Sequence, residues 1–264
     1  MLKKIIIFLF VGSLTANFFS LYILDKALFY RKNLNYIEQE FPNRGFHITS
    51  VSQMSHSGFD RTGVFIGGSL VKFWFLPHDL PVKLFNYGGS EEKIRTDYEK
   101  MEKDIKGSGV DYVFINSGFC EIHTAVNSGK NIDVVIKNNF ILLKKIVEAA
   151  KADNIIPVVT TLTPVRPVFL FPYSGWFSRG LSANKAEENR AIEEYNRLIR
   201  EYAQQKNLFL IDFHEALKGR DGLLAKKFSL TDGEHINIAG YNYLDNFLRK
   251  KVTRLKACKG QPCE

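Results

Sequence analysis

The sequence predicts an α/β protein, a three-layer α/β/α sandwich on a parallel sheet of about five strands. Two observations carry this. Five short apolar runs recur along the chain, and the stretches between them place apolar residues at the 3.6-residue period of helices. Strands that alternate with helices in this way pair in parallel through right-handed crossovers. In such a sheet, ligands bind at the carboxyl ends of the strands.

The runs, in order, are Gly63–Gly67 (GVFIG), Val82–Asn86 (VKLFN), Asp111–Ile115 (DYVFI), Ile155–Thr161 (IIPVVTT) and Leu208–Asp212 (LFLID). Between the second and third, Ile94, Tyr98, Met101 and Ile105 share one helix face. Ile192, Tyr195, Ile199 and Tyr202 repeat that spacing, as do Tyr241, Leu244, Leu248 and Val252. Val134–Ala150 is more apolar and is expected to be a more deeply buried helix.

Ahead of the sheet, Ile5 to Leu24 runs 20 residues without a charge, following Lys3 and Lys4. A helix of that length rises about 30 Å, the depth of a bilayer core. Leu14 at the minus-three position suits a cleaved leader ending at Ala16 poorly. Residues 1–25 are therefore read as an uncleaved signal anchor, a single pass with the bulk of the chain exported to the periplasm or the cell exterior. Residues 26–60 are a juxtamembrane connector, 61–252 the folded domain, and 253–264 a tail. Cys258 and Cys263 in that tail are either a small disulfide loop or two free thiols. Arg249 to Lys259 carries six Lys/Arg and no acid, which suits an anionic surface or a solvated helix end.

Composition narrows the chemistry. The 264 residues are 45% hydrophobic and 24% charged, as in an ordinary globular domain, and a net charge of +8 does not require a nucleic acid partner. There is no P-loop, G-x-G-x-x-G, H-E-x-x-H or paired C-x-x-C, so neither a metal nor a nucleotide cofactor is expected.

The residues that follow the strands are the candidates for function. Gly67-Gly68-Ser69 follows the first, Asn86-Tyr87-Gly88-Gly89 the second and Gly118-Phe119-Cys120-Glu121 the third. Ser69, at a strand-to-helix turn, is either a helix cap or a nucleophile. Near the end, Asp232 and His235 form a D-x-x-H pair. The carboxylate in such a pair can hold one imidazole nitrogen while the other faces outward, as in a serine triad, or it can simply cap the next helix. Cys120 as a nucleophile would need a setting that favours the thiolate.

Taken together, Gly-Gly-Ser after the first strand, the glycine turn after the second, Gly-x-x-Glu after the third and Asp-Gly-Glu-His-Ile-Asn-x-x-Gly-Tyr near the end resemble the SGNH (GDSL-type) hydrolase superfamily. The resemblance spans about Thr62 to Lys251 and includes Tyr195-Asn196 on the late amphipathic helix. It implies a flavodoxin-like fold and ester chemistry, with Ser69 as nucleophile, His235 as base and Asp232 as orienter. It also implies an oxyanion site formed by the N–H groups of Ser69 and Gly89 and by the residue at position 120. Two positions depart from the pattern: Gly68 stands where the family has Asp, and Cys120 where it has an asparagine that donates to the oxyanion. A thiol is a weak donor, and Asn116 is a candidate substitute from the strand end.

The expected function is a membrane-anchored serine esterase acting on an O-acyl carbohydrate or a lipid. The alternatives are a catalytically weak glycan- or lipid-binding component of an envelope assembly, or an O-acyltransferase. Trp74 and Trp176 are expected to contact substrate. Trp176 lies in an aromatic stretch, Pro164–Leu181, read as a lid or as a packed surface lobe.

Overall fold

The computed structural model describes residues 46–48, 60–77, 79–167, 177–230 and 232–257. The sheet contains β1 (Phe46–His47), β2 (Thr62–Gly67), β3 (Lys83–Asn86), β4 (Tyr112–Asn116), β5 (Ile156–Thr160) and β6 (Phe209–Ile211). All are parallel, in the order β1-β3-β2-β4-β5-β6. The helices are α1 (Ser69–Lys72), α2 (Ile94–Lys100), α3 (Phe119–Ser128), α4 (Ile132–Ala152), α5 (Phe177–Gln205), α6 (Phe213–Leu217) and α7 (Ile238–Ala257). A π turn over Met101–Ile105 prolongs α2.

Strand alternation divides the core between the two faces of the sheet. Val64 and Ile66 of β2, with Val113 and Ile115 of β4, meet α2, α3, α4 and α5 on one face. Phe65, Tyr112 and Phe114 point to the other face, where they meet α1, α6 and α7. The predicted helix stripes are buried on these two faces: Ile94, Met101 and Ile105 on α2 and its π turn and Ile192, Tyr195, Ile199 and Tyr202 on α5 against the first, and Leu244, Leu248 and Val252 on α7 against the second.

The sequence reading is corrected at three places. β1 lies inside the segment read as a connector and pairs with β3 at Phe46↔Phe85 and His47↔Asn86, so the sheet has a sixth, edge strand. Two residues are too short to show a period. Helix α4 is amphipathic rather than buried throughout, with Val134 52% exposed while Leu143, Ile146 and Val147 are buried. Helix α7 runs on to Ala257 and buries Leu255, so the first residues of the supposed tail belong to the domain.

Among the described residues, no helix is long and apolar enough to cross a membrane. The anchor read over 1–25, Trp176 and the Cys258–Cys263 pair lie outside the described residues.

The strand order places the functional crevice. From β2 the chain moves outward to β3, then returns past β2 to begin β4 on its other side. This reversal is the switch point of a doubly wound sheet, where a crevice opens at the carboxyl ends of the two central strands. Ser69 and Cys120 flank it, one after β2 and the other after β4.

Candidate active site

The close packing of β2 on β4 dictates the turn that carries Ser69. Gly67 has φ of 148°, and a Cβ there would lie 2.3 Å from the Asn116 carbonyl oxygen, so only glycine fits. Gly68 is extended, its carbonyl accepts from Val71 and Lys72, and α1 opens with Ser69 on the crevice wall.

His235 arrives from the loop before α7. Its Nε2 lies 3.0 Å from Ser69 Oγ, and its Nδ1 lies 2.8 Å from Asp232 Oδ2. A carboxylate can only accept, so Nδ1 donates to Asp232 and Nε2 is left to accept from the serine hydroxyl. Asp232 also caps the turn, its Oδ1 accepting from Glu234 N at 2.9 Å and His235 N at 3.0 Å. The two readings of D-x-x-H are therefore compatible, one oxygen per role. Burial pushes the Asp232 carboxyl up, but the bond to His235 and the two amides outweigh it and hold the group below its usual range. Gly233, at φ 73°, makes the tight turn, and its carbonyl accepts from Arg166 N at 2.7 Å.

The opposite wall departs from expectation. Gly89 does not contribute an oxyanion donor, because its N–H donates to the Gly67 carbonyl at 2.9 Å. Asn116 is no substitute either: its amide donates to Thr160 Oγ1 at 2.7 Å and to the Thr161 carbonyl at 3.1 Å, both on the β5 side. Cys120 does line the crevice, with Sγ 3.8 Å from where a Cβ on Gly68 would stand. Burial, followed by the charges of Glu121, Asp97, Glu91 and Glu92, pushes its thiol up to about 12. A thiol so disposed is protonated at neutral pH and is no nucleophile.

Trp74 is also corrected. It is 1% exposed, donates from Nε1 to Asp245 at 2.8 Å, and packs against Phe65, Phe213 and Tyr241. It anchors α7 to the core and does not reach a substrate.

Sequence reasoning named Glu121 but missed the two other carboxyls behind this wall, Glu92 and Asp97. Glu92 lines the crevice and pairs with Lys100 at 2.5 Å. Asp97 is fully buried, accepts from Ser117 Oγ, and is pushed well above its ordinary range by burial and then by Glu92. Glu121 accepts from Ile94 N at 2.9 Å, and burial pushes it up as well. One signal was available for Asp97: it is three residues after Ile94 and four before Met101, on the apolar stripe where a lone acid is out of place.

Glu234, next to His235, lies in a second cluster at the crevice edge. His123, Glu188 and Glu234 offer three donor atoms within 4.8 Å of one another. Lys185 pairs with both carboxylates, so the cluster carries its own cation and is a charge network rather than a metal centre.

The sheet order and the switch-point crevice define a doubly wound α/β/α fold, with Asp232, His235 and Ser69 in a hydrogen-bonded line at that crevice. Solved structures agree on the fold, which is that of the G-D-S-L (SGNH) hydrolases. A GDSL-like lipase from Bacteroides thetaiotaomicron is 20% identical at a TM-score of 0.56, over 75% of this chain and 89% of its own. A member of the lipolytic protein G-D-S-L family from Veillonella parvula is 18% identical at 0.56, over 74% and 100%. The acetylxylan esterase Axe2 from Geobacillus stearothermophilus is 16% identical at 0.56, over 74% and 95%. No family model and no curated protein matches the sequence.

Proposed function

We propose that this chain is a serine ester hydrolase of the SGNH type, with Ser69 as nucleophile, His235 as general base and acid, and Asp232 as orienter. The observation that carries the reading is the continuous line from Asp232 to His235 to Ser69, at 2.8 and 3.0 Å, at the sheet's switch point. In this mechanism Ser69 Oγ bonds to the acyl carbon while His235 Nε2 takes the serine proton. The imidazolium returns that proton to the departing alkoxide, leaving an acyl-serine and a free alcohol. Water then attacks with His235 again as base, and the acid leaves as Ser69 regains its proton.

The crevice favours a small acyl group on a neutral alcohol. Among the described residues, Leu70, Phe119, Leu162, Ile236 and Tyr241 leave a small, largely apolar space beside Ser69, which suits a short acyl chain. No Lys or Arg is among its described lining residues, so no described side-chain cation there meets a phosphate. An O-acetylated carbohydrate fits better than a phospholipid, in line with the acetylxylan esterase among the structural neighbours. Acetyl, butyryl and long-chain p-nitrophenyl esters should be cleaved in falling order of efficiency; a preference for long chains would overturn the acyl-group assignment.

A second reading, a binding protein with little turnover, is favoured by the acid-backed Cys120 wall. A fluorophosphonate probe separates the two. Labelling on Ser69 supports the enzyme, and no labelling supports the binder. The site we propose for this chemistry is outside the cytoplasm, with Ile5–Leu24 as anchor. Deleting residues 1–25 should then release a folded domain from membranes, and recovery of the intact, uncleaved chain in the soluble fraction would refute the anchor.

A further inference from the structure

We propose that Lys185 is a charge lock on the catalytic base: by pairing with Glu234 it cancels the carboxylate next to His235 and ties the His235 loop to α5. The inference rests on the triad reading above.

The geometry comes from three elements. Lys185 and Glu188 stand on α5, His123 on α3, and Glu234 on the loop that presents His235. Lys185 Nζ pairs with Glu234 Oε1 and lies 2.7 Å from Glu188 Oε2. His123 Nδ1 lies 3.0 Å from Glu188 Oε1 and 3.5 Å from Glu234 Oε1. The Glu188 side chain is 1% exposed and that of Lys185 12%, so these charges are poorly screened by solvent.

Counting charges shows which group matters. Two carboxylates face one permanent cation, Lys185, and one conditional cation, His123. Burial opposes ionisation of Glu188, but His123 and Lys185 outweigh it and hold the carboxyl low. The bond to Glu188 raises His123, against burial and with help from Glu234, yet an imidazole still sheds its proton at alkaline pH. Lys185 is the cluster's one cation that does not depend on an imidazole.

Among the described residues, few titratable groups line the crevice with His235. Asp232 and Glu234 lie on its own loop, and Ser69 is on α1. Across the crevice stands Glu92, with Lys100 paired to it. The Cys120 thiol and the Tyr241 hydroxyl are both pushed up by burial and stay neutral. Without Lys185 the cluster would hold two carboxylates against the imidazole of His123 alone, and the surplus negative charge would fall on the loop that presents His235. It would favour the imidazolium, which cannot act as base, and the acid limb of the pH–rate profile would move upward.

The test uses the full chain and the pH dependence of fluorophosphonate labelling at Ser69 between pH 5 and 9. Lys185→Met should move the acid limb up by about half to one pH unit, and Lys185→Arg should leave it in place. The double variant Lys185→Met with Glu234→Gln should bring the limb back, because the offending charge has gone with its partner. Glu234→Gln alone should move the limb down, and it decides the question if Lys185→Met does not fold. A role that was only structural would slow labelling equally at every pH, and Glu234→Gln would not reverse it. Wild-type labelling on Ser69 with the limb unmoved in these variants overturns the charge lock alone. No wild-type labelling at any pH overturns the triad, and the lock with it.

Discussion

On one side of the crevice Ser69, His235 and Asp232 stand in a hydrogen-bonded line; on the other, Cys120 faces Gly68 with Glu92, Asp97 and Glu121 around it. The first wall is equipped to move a proton. Among the described residues, the second has no side-chain amide aimed at the developing oxyanion, since Asn116 is engaged with β5, and the Gly89 backbone N–H is engaged with Gly67. Of the three donors expected from the sequence, the N–H of Ser69, at the first turn of α1, is left beside the Cys120 thiol. On the proposed reading, the difference teaches that the two halves of such a site are separable: one fold can keep the hydrogen-bonded relay in full while the charge-stabilising half diverges.

The largest effects should come from the complete wall. Ser69→Ala and His235→Ala are each expected to lower ester hydrolysis by about 10⁴–10⁶-fold, and Asp232→Asn by about 10⁴-fold through loss of the correct tautomer. Circular dichroism should show the fold intact, since none of the three belongs to the apolar core. Substantial turnover in either alanine variant would mean that the aligned groups are not the catalytic ones.

The divergent wall should respond in the other direction. Replacing Cys120 by Asn restores an amide donor where a protonated thiol now stands, so the rate should rise, with a ceiling of roughly 10²–10³-fold for one well-aimed donor. Cys120→Ala should change the rate by less than about threefold, since a thiol is a weak donor. Asn116→Ala should register as lost stability, because its amide bridges β4 to Thr160 and Thr161. If Cys120→Ala abolished activity, the thiol would be part of the chemistry and the contrast between the walls would collapse.

How much of this was legible in the sequence follows the same division. The sheet, the helix stripes and the relay depend on local patterns: strand runs that end in glycine turns, a 3.6-residue period, and a D-x-x-H pair whose carboxylate reaches its own imidazole. Topology then joins Ser69 to His235 across 166 positions. The misassigned residues depend on partners that no local pattern announces. Gly89 is a glycine in the right turn, yet its N–H meets a carbonyl of the neighbouring strand. Trp74 lies five positions past Ser69, but the short α1 has already turned it inward to Asp245. Glu92 and Asp97 belong to α2 and its approach, outside every motif, and reach Cys120 only through packing.

The smallest expected effect is on stability, and it tests whether the acid wall burdens the fold. Asp97 is fully buried, and its carboxyl is pushed well above its ordinary range by burial and by Glu92. The unfolded chain gives up this proton near pH 4, whereas the folded chain keeps it to a higher pH. Between those limits the native state binds more protons than the unfolded state, so stability declines as pH rises. The contribution is greatest below the ordinary aspartate range and is lost as pH climbs through the raised value. Asp97→Asn imitates the protonated acid, since its amide oxygen can still accept from Ser117 while its NH₂ replaces the carboxyl proton. At pH 8 the variant should therefore be more stable than wild type, by on the order of 1 kcal/mol. At pH 4 the two should converge. Urea midpoints measured from pH 4 to 8 on both proteins give the comparison directly. Should Asp97→Asn be less stable at pH 8, or should the wild-type decline with pH persist in it, Asp97 would be an ionised carboxylate matched by its surroundings. The wall around Cys120 would then carry a balanced charge rather than a strained one.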